Sequence, residues 1–339
     1  MKKFVLFFLM IVSLPAVAQV ADSTKIKTDS IQAKIDSLVV KIDSVIKADT
    51  IRNWKKGGVI GSNFSQASYT NWAAGGENSL SGTAFFNLFA NYKKKKTTWD
   101  TNLDLAYGLL KTGKAKVRKS EDKIELTSKF GHASFLDRWY YTGLLNIKTQ
   151  FDDGYNYPDD STIVSHFMAP GYILGAIGLD YKTKNAVLSL FISPVTSKTT
   201  IVNDPHLADL GAYGVTPARY DSVAGIYVIV ERGDLYKNEF GGYLKMTFKK
   251  DIMKNVNLAT KLELFTNYLK DPQNIDVNWE ILLNMKINKY ITTSVSTNMI
   301  YDNDVPVPVE REINGVKVMG TGPRLQFKEV LAVGLAFKF

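Results

Sequence analysis

The chain contains no cysteine and only three histidines among its 339 residues. The absence of cysteine excludes disulfide bonds and a lipid-modified N-terminal cysteine. Long hydrophobic runs are also missing after residue 18, and no segment offers the roughly 20 consecutive apolar residues of a transmembrane helix. The formal charge of +9 comes from lysines and arginines spread along the chain, which argues against nucleic-acid binding.

The N-terminus has the pattern of an export signal. Two lysines precede the apolar segment 4–14, and a proline then leads to the small residues 16–18. This arrangement predicts a signal peptide at 1–18 that is removed after Ala18. An exported chain with 45% hydrophobic residues can still cross a membrane as a closed β-barrel, because closure satisfies every hydrogen bond between strands.

Residues 19–53 form a separate segment before the expected barrel. Between 22 and 50 there is no aromatic residue and no glycine, and apolar residues recur at helical spacing at Ile31, Ile35, Leu38, Ile42 and Val45. The pattern covers about two heptads, whereas three or four usually define a coiled coil. The segment is either a periplasmic helix that docks on a partner or oligomerises, or a partly ordered amphipathic linker.

Residues 54–339 alternate apolar and polar side chains in twelve segments, each long enough to cross a bilayer at a tilt. The predicted strands are 57–67, 79–92, 98–112, 121–133, 138–151, 169–182, 186–200, 239–250, 254–269, 274–288, 290–302 and 324–339. Connections after even-numbered strands are tight, and those after odd-numbered strands are mostly long and polar. The sequence therefore predicts an all-β, twelve-stranded antiparallel transmembrane β-barrel with a short N-terminal helical extension.

Side-chain alternation assigns the two faces of each strand. Leu88 and Leu283 fall on the lipid face, and their neighbours Asn87 and Asn284 face the lumen. Aromatic residues of the lipid-facing parity predict two girdles at the membrane interfaces: Tyr92, Trp99, Trp139, Tyr141, Tyr181, Phe337 and Phe339 at the turn end, and Tyr107, Phe151, Tyr268 and Tyr301 at the loop end.

The last strand runs to the final residue of the chain, with apolar side chains at every second position up to Phe337 and Phe339. This ending is typical of bacterial outer-membrane barrels. We expect Phe337 and Phe339 to form an assembly signal for the barrel assembly machinery. The predicted location is the cell outer membrane, where membrane lipid surrounds the barrel.

Several short stretches resemble a known family. They are Trp54-Lys55-Lys56-Gly57-Gly58, Asn63-Phe64-Ser65-Gln66-Ala67, Asn71-Trp72-Ala73-Ala74-Gly75-Gly76-Glu77, Trp99-Asp100, Leu103-Asp104-Leu105-Ala106-Tyr107-Gly108, Arg118-Lys119-Ser120-Glu121-Asp122-Lys123 and Ile192-Ser193-Pro194. Together they are similar to the Bacteroidetes outer-membrane family called domain of unknown function 3078, from about Trp54 to the C-terminus. The resemblance implies a barrel of unassigned function and supplies no catalytic residues.

Charged residues at the strand positions predicted to face the lumen are the main clue to function. Eleven are basic and eight are acidic: Lys123, Lys129, Arg138, Lys148, Lys245, Lys249, Lys261, Lys286, Arg324, Lys328 and Lys338, against Asp100, Asp104, Glu125, Asp180, Glu239, Glu263, Asp276 and Glu280. They would line either a narrow aqueous lumen with a weak anion preference or a sealed core in which lysine and glutamate pair across the barrel. The number of strands does not decide between these two alternatives, because a twelve-stranded barrel lies in size between narrow barrels filled by side chains and wide barrels with an aqueous channel. The candidate lumen residues are Lys129, Lys261, Lys286, Glu263 and Glu280.

Two loops are further candidates. The glycine-rich loop 71–78, with Trp72, Gly75, Gly76 and Glu77, is either a constriction or lid over the lumen, or a well-packed external hairpin. The acidic loop that begins at Asp152 offers oxygen ligands for calcium. It lacks the twelve-residue ligand spacing and the final glutamate, which favours a solvated loop.

An enzyme is the least favoured class. Ser128 and His132 share one face of the fourth strand, but His132 falls near the tight-turn end, and neither His166 nor His206 sits in a nucleophile motif. We expect no catalytic residue, cofactor or metal. The favoured function is a porin-like passive or gated channel for small polar solutes. The alternative is a non-conducting structural or docking barrel that presents its loops or residues 22–50 to an envelope partner.

Overall fold

The computed structural model describes residues 53–68, 77–223, 226–288, 290–305, 307–313 and 316–339. The segment 22–50 and the loop residues Trp72, Gly75 and Gly76 lie outside the described residues. No helix in the described part of the chain is long and apolar enough to cross a membrane.

The described residues are dominated by strands. They are β1 (Trp54–Ala67), β2 (Ser79–Lys94), β3 (Thr97–Thr112), β4 (Arg118–Ala133), β5 (Trp139–Thr149), β6 (Gly154–Tyr155), β7 (Ile163–Ser165), β8 (Gly171–Lys182), β9 (Leu188–Ile201), β10 (Arg219–Val223), β11 (Ile226–Glu231), β12 (Tyr236–Met253), β13 (Val256–Asn267), β14 (Ile275–Lys286), β15 (Ile291–Tyr301), β16 (Val307–Ile313), β17 (Val316–Gly322) and β18 (Gln326–Lys338). One short α-helix, α1 (Pro205–Asp209), and a single turn of 3-10 helix (Ala212–Gly214) lie between β9 and β10.

Twelve of these strands form a closed antiparallel barrel. Their order around the barrel is β1, β18, β15, β14, β13, β12, β9, β8, β5, β4, β3 and β2. Each corresponds to one of the strands predicted from alternation, with ends that differ by at most three residues. The predicted all-β, twelve-stranded antiparallel fold is therefore confirmed.

The tight connections gather at one end of the barrel, here called the turn end. Several of them place a residue other than glycine in the left-handed region, with φ of 49° at Lys95, 52° at Ala186 and 64° at Asn255. Such angles let a two- or three-residue turn follow the twist of the strands that it joins. The opposite end, the loop end, carries the long connections.

The loop end contains structure that alternation does not predict. The pairs β6–β7, β10–β11 and β16–β17 form three hairpins outside the barrel. Asp204 caps α1 by accepting hydrogen bonds from the backbone N–H groups of His206 and Leu207. The helix buries Leu207 and Ala208 in a small apolar cluster with Val202. The long loops are therefore partly folded rather than simply polar and extended.

Apolar side chains cover the outer face of the barrel. Exposed examples come from strands all around the wall: Ile60, Phe64, Leu145, Ile177, Ile192, Leu331, Val333 and Leu335. Aromatic rings pack in pairs near both ends, as the predicted girdles require: Trp99–Phe130, Trp139–Tyr181 and Tyr290–Phe337 at the turn end, and Tyr107–Phe151 and Phe240–Tyr268 at the loop end. An outer face of this kind suits a lipid environment.

A bulge in β9 changes which side chains face the lumen. Ser193 is in register with Tyr243, but Thr196 is in register with Gly241, so β9 has one extra residue beside Pro194. Proline in a sheet is tolerated at such irregular positions. The neighbouring Gly178 fits here because an added Cβ would collide with the backbone of β9 at Ile192. Beyond the bulge, inward positions of β9 change from odd to even numbers.

Candidate functional site: the barrel lumen

Ion pairs cross the middle of the lumen. Glu125 on β4 accepts from Lys123 at 2.7 Å and from Lys261 on β13 at 3.2 Å. Four strands separate β13 from β4 on the shorter way around the barrel, so this contact spans most of the lumen. Lys261 also lies 2.9 Å from Glu280 and 3.7 Å from Glu263. The central charges therefore form one network rather than an open ring.

Apolar and aromatic side chains fill the lumen beside this network. Leu144, Ala176, Phe191, Tyr243 and Phe265 form a buried cluster on the inner face of the wall from β5 to β13. The Tyr243 hydroxyl donates to Glu263 at 2.6 Å, and Lys245 lies 3.0 Å from the same carboxylate. This side of the barrel is closed by packing as well as by charge pairing.

A second set of ion pairs lies nearer the turn end. Lys129 contacts Asp180 at 2.8 Å and donates to the Ser189 hydroxyl at 2.9 Å. Lys182 contacts Asp100 at 2.7 Å, which links β8 to β3 across two intervening strands. Asp180 is completely buried, so its charge depends on these lysines.

A third set lies at the loop end. Lys198 contacts Asp276 at 2.8 Å and Glu239 at 3.5 Å, and its ammonium lies 4.9 Å from the ring centre of Phe265. Lys237 contacts Glu239 at 3.1 Å and Asp304 at 2.6 Å. This set is acidic on balance, because Asp302 lies 3.8 Å from Lys198 as well.

The alternation of side chains predicted that most of these charged residues face the lumen, but three lysines were not among the predicted residues. Lys198 falls on the wrong parity in the sequence because the β9 bulge shifts it inward. Lys182 and Lys237 lie at strand ends. The signal available for Lys198 was Pro194, because a proline inside a strand marks a bulge.

Two arginines expected inside the lumen are not there. Arg138 precedes β5 in a tight turn with a φ of 66°, and it donates to the hydroxyl of Tyr181, a girdle residue. Arg324 precedes β18 and donates to the backbone carbonyl of Pro323. Both lie outside the barrel strands, where strand parity no longer decides direction.

A cavity of about 550 Å³ remains inside the barrel beside the central network. Its walls extend from Glu121 and Lys328 near the loop end to Lys249 and Ala259 near the turn end. Five lysines line it, against three acidic residues: Lys123, Lys148, Lys249, Lys261 and Lys328, against Glu121, Asp122 and Glu280. Lysines outnumber acidic residues in this lining, so the cavity is basic. Lys249 forms no ion pair with any described residue, and Lys148 lies in register with Glu125 on the neighbouring strand.

The candidate lumen residues divide into paired and unpaired groups. Lys129, Lys261, Glu263 and Glu280 all belong to the ion-pair sets above. Lys286 ends β14 on the inward parity and forms no ion pair with any described residue. The alternation of side chains predicted all five on the inner face but gave no indication of which would be paired.

The remaining candidates lie away from the lumen network. Glu77 is exposed, and its carboxylate lies close to Gly113 in the next external connection. Phe337 packs against Tyr290 with ring centres 5.7 Å apart, and Phe339 is half exposed. The Ser128 hydroxyl accepts from the Trp99 indole, whereas His132 lies beside Thr97. Ser128 and His132 thus have separate partners.

The external loops are held by charge as well as by packing. Asp209 at the end of α1 accepts from the backbone N–H of Gly233 at 2.9 Å and from Arg232 at 2.6 Å. These two contacts lower the pKa of the Asp209 carboxyl below its usual value. In the acidic loop, the backbone N–H of Asp153 and the Tyr107 hydroxyl lower the pKa of Asp152. The described residues contain no group of three or more potential ligands that could hold a metal ion.

Two regions of the chain match family models. Residues 64–155 match the family described as protein of unknown function (DUF3078), and residues 213–312 match another described as protein of unknown function, DUF481. Neither match reaches half of the chain. The resemblance expected from about Trp54 to the C-terminus is therefore confirmed over 64–155, and the second match was not expected. No curated protein matches the chain.

Distant likeness to solved outer-membrane barrels is also present. The translocator domain of the autotransporter NalP from Neisseria meningitidis is 8% identical with a TM-score of 0.35, over 92% of this chain and 98% of that one. The COG4313 outer membrane channel from Pseudomonas putida F1 is 11% identical with a TM-score of 0.38, over 86% of this chain and 98% of that one. Similarity at this level assigns no function.

Proposed function

We propose that this protein is an outer-membrane channel through which small polar solutes, anions in preference, pass along a narrow lumen constricted by ion pairs. The observation that carries the proposal is the basic cavity of about 550 Å³, which extends inside the barrel from near the loop end to near the turn end. The apolar outer face of the barrel and its aromatic girdles support placement in the outer membrane.

The lining charge of the cavity supports the anion preference. The field along a narrow passage follows the charges on its wall, and lysines exceed acidic residues there. Lys249 contributes most directly, because it forms no ion pair with any described residue, whereas Lys148 lies in register with Glu125 on the neighbouring strand. Lys123, Lys261 and Lys328 are held in place by carboxylates and shape the passage without carrying its full positive charge.

The constriction supports a small and gated passage rather than a wide pore. Lys261 and Glu125 meet across the lumen, and Lys123 lies 4.0 Å from Glu280 on the opposite wall. A solute larger than the cavity would have to separate these pairs. Separation would expose charges that compensate one another in the closed arrangement.

The same pairs favour a second candidate, a non-conducting barrel that serves as an envelope scaffold. Cross-lumen pairing combined with the apolar cluster around Phe191 and Tyr243 could close the barrel permanently. In that case the folded loops at the loop end, with α1 and its hairpins, would be the functional surface.

Solute flux into proteoliposomes distinguishes the two candidates. Refolded protein should admit amino-acid-sized and sugar-sized solutes, anions faster than cations of equal size. The variant K148E/K249E should reverse the charge preference, because it reverses the charge at two positions of the cavity lining. The matched control K184E/K254E changes two exposed lysines in tight turns and should leave the preference unchanged. Liposomes that admit no solute, with either protein, would favour the scaffold.

A further inference from the structure

We infer that solutes enter the lumen through an off-centre opening at the loop end, between β4 and β18, where the ion pair of Glu121 and Lys328 is the entrance gate. This entrance rests on the proposed channel function and deepens it by naming the residues that a solute meets first. External connections cover one side of the loop end. The ion pair lies on the other side, where the cavity of about 550 Å³ begins.

The covered side carries a cap built from residues 202–215 and 302–304, here called the loop-end cap. The first segment follows β9 and contains α1, and the second segment follows β15. The two segments meet at Gly214, where an added Cβ would lie 3.2 Å from the Asp304 carbonyl oxygen. Because β12, β13 and β14 lie between β9 and β15, the loop-end cap extends across that part of the rim.

Side-chain contacts hold the loop-end cap on the barrel. The Tyr213 hydroxyl donates to the backbone carbonyl of Val164 in β7, between β5 and β8, at 2.6 Å. Asp304 contacts Lys237 on β12 at 2.6 Å and Lys270 between β13 and β14 at 3.7 Å. These contacts tie the cap to the wall that runs from β5 to β15. The opposite wall consists of β18, β1, β2, β3 and β4.

Side chains at similar distances from the strand ends differ in exposure between the two walls. Glu239 and Glu121 are each the fourth residue of their strand, and their side chains are 3% and 31% exposed. Thr200, the last residue but one of β9, is in register with Lys237 and is 2% exposed. Lys328, the third residue of β18, has a side chain that is 49% exposed. Water therefore reaches the lumen beside β4 and β18 and is excluded beneath the cap.

The ion pair of Glu121 and Lys328 lies at this opening. It joins β4 to β18, with β1, β2 and β3 between them, and both residues line the cavity at its loop end. Because water screens an exposed ion pair, the pair is held weakly and a charged solute can separate it. An anionic group of the solute then replaces Glu121 as the partner of Lys328.

Thiol labelling tests the position of the opening, because a sequence without cysteine allows single thiols to be introduced. In the folded barrel, a bulky charged maleimide should react at least about tenfold faster with the thiol of Lys328→Cys than with that of Thr200→Cys, since a buried thiol reacts only after local opening. In urea the two rates should agree. Equal rates in the folded barrel would overturn the inference.

Solute flux tests the opening as the entrance. Lys328→Cys is modified with a polyethylene-glycol maleimide in micelles and then reconstituted into liposomes. The modification should lower the flux of sugar-sized solutes at least about fivefold, because it blocks the passage. The matched control is Ser222→Cys, on the exposed hairpin β10–β11 outside the barrel, where the same modification should leave flux unchanged.

Removal of both charges tests the ion pair as a gate. The variant E121Q/K328M should admit solutes at least about twofold faster than the wild type, because no ion pair has to be separated at the entrance. The control R219M/E231Q removes an exposed ion pair on the hairpin β10–β11 and should leave flux unchanged. Equal flux through both double variants would reject the gate.

Labelling does not require conduction, so the inference and the proposed function can fail separately. Fast labelling at position 328 and slow labelling at position 200, in a barrel that admits no solute, would retain the off-centre opening and reject the channel. Flux that persists after modification at position 328 would retain the channel and reject this entrance.

Discussion

Glu125 is the residue whose contacts define the constriction. It is 3% exposed and interacts with Lys123, Lys261 and the side-chain amide of Asn146. A buried carboxylate with partners on opposite walls couples strands that are far apart around the barrel. Both the narrowness of the lumen and part of the stability of the barrel should therefore depend on it.

Replacing Glu125 by glutamine should lower the free energy of unfolding by about 3 to 5 kcal/mol, because it leaves buried lysines with less compensation. Urea unfolding of refolded protein in micelles measures this change. The control is Asp160→Asn, which breaks the exposed pair with Lys116 and should have a much smaller effect, because solvent screens that pair. Equal costs for the two substitutions would show that the central pairs do not support the barrel.

Asp209 provides a prediction about pH in the external loops. Its pKa is lowered in the folded loop by the Gly233 N–H and by Arg232, so its contribution is present above the unfolded pKa of about 3.9 and is lost as pH falls through the folded value. Proteolysis of the loop around α1 should therefore accelerate at low pH. Asp209→Asn should show fast proteolysis already at neutral pH. A loop equally protected at both pH values would contradict this role.

At the scale of residues, the sequence predicted which face of a strand a side chain lies on, but it could not predict which charged side chains come close together. Alternation placed Lys261, Glu263 and Glu280 on the inner face, because parity follows from strand geometry alone. It could not show that Lys261 reaches Glu125, since that contact depends on the diameter of the barrel and on the relative heights of β4 and β13. The bulge beside Pro194 similarly hid Lys198.

At the scale of strands, β14 offers the clearest test of the two faces. Leu283 is in register with Leu258 and Val295 in the outward set, whereas Asn284 is in register with Asn257 and Ser294 in the inward set. Leu283→Arg should cost about 2 to 4 kcal/mol near the bilayer midplane, whereas Asn284→Arg should cost less. Unfolding measurements in lipid vesicles compare the two. Similar costs would contradict the face assignment.

The final strand should govern assembly. Phe337 packs on Tyr290 at the turn end, and Phe339 directly follows β18. Replacing both phenylalanines by serine should lower the amount of heat-modifiable barrel recovered from outer membranes. Phe135→Ser, at an exposed phenylalanine in a tight turn, serves as the control. Unchanged recovery of the double variant would show that the assembly signal lies elsewhere.

At the scale of elements, the sequence predicted the long barrel strands, in which apolar and polar residues alternate many times, but not the short elements of the loops. The barrel strands show enough alternation to be located within three residues. Helix α1 has five residues, and β6 has two, so neither is long enough to show a recognisable pattern of apolar and polar residues. Their positions depend on tertiary contacts such as those of Leu207 and Val202, which the sequence does not display.

For the whole molecule, the structure combines a constricted center with incomplete charge pairing. Cross-lumen pairs narrow the passage, while lysines outnumber acidic residues in the lining of the remaining cavity. Sequence composition could not separate a sealed barrel from a channel, because both require a similar inventory of inward charges. The arrangement of those charges is what favours a narrow, anion-preferring channel.

Single-channel recording of refolded protein in planar bilayers tests this account most directly. Wild type should show small discrete conductance steps, with a reversal potential in a salt gradient that indicates anion preference. The double variant E125Q/K261M, which removes a cross-lumen pair from both sides, should conduct in larger steps. A wild type without conductance, and a double variant equally silent, would contradict the account and leave the non-conducting barrel as its replacement.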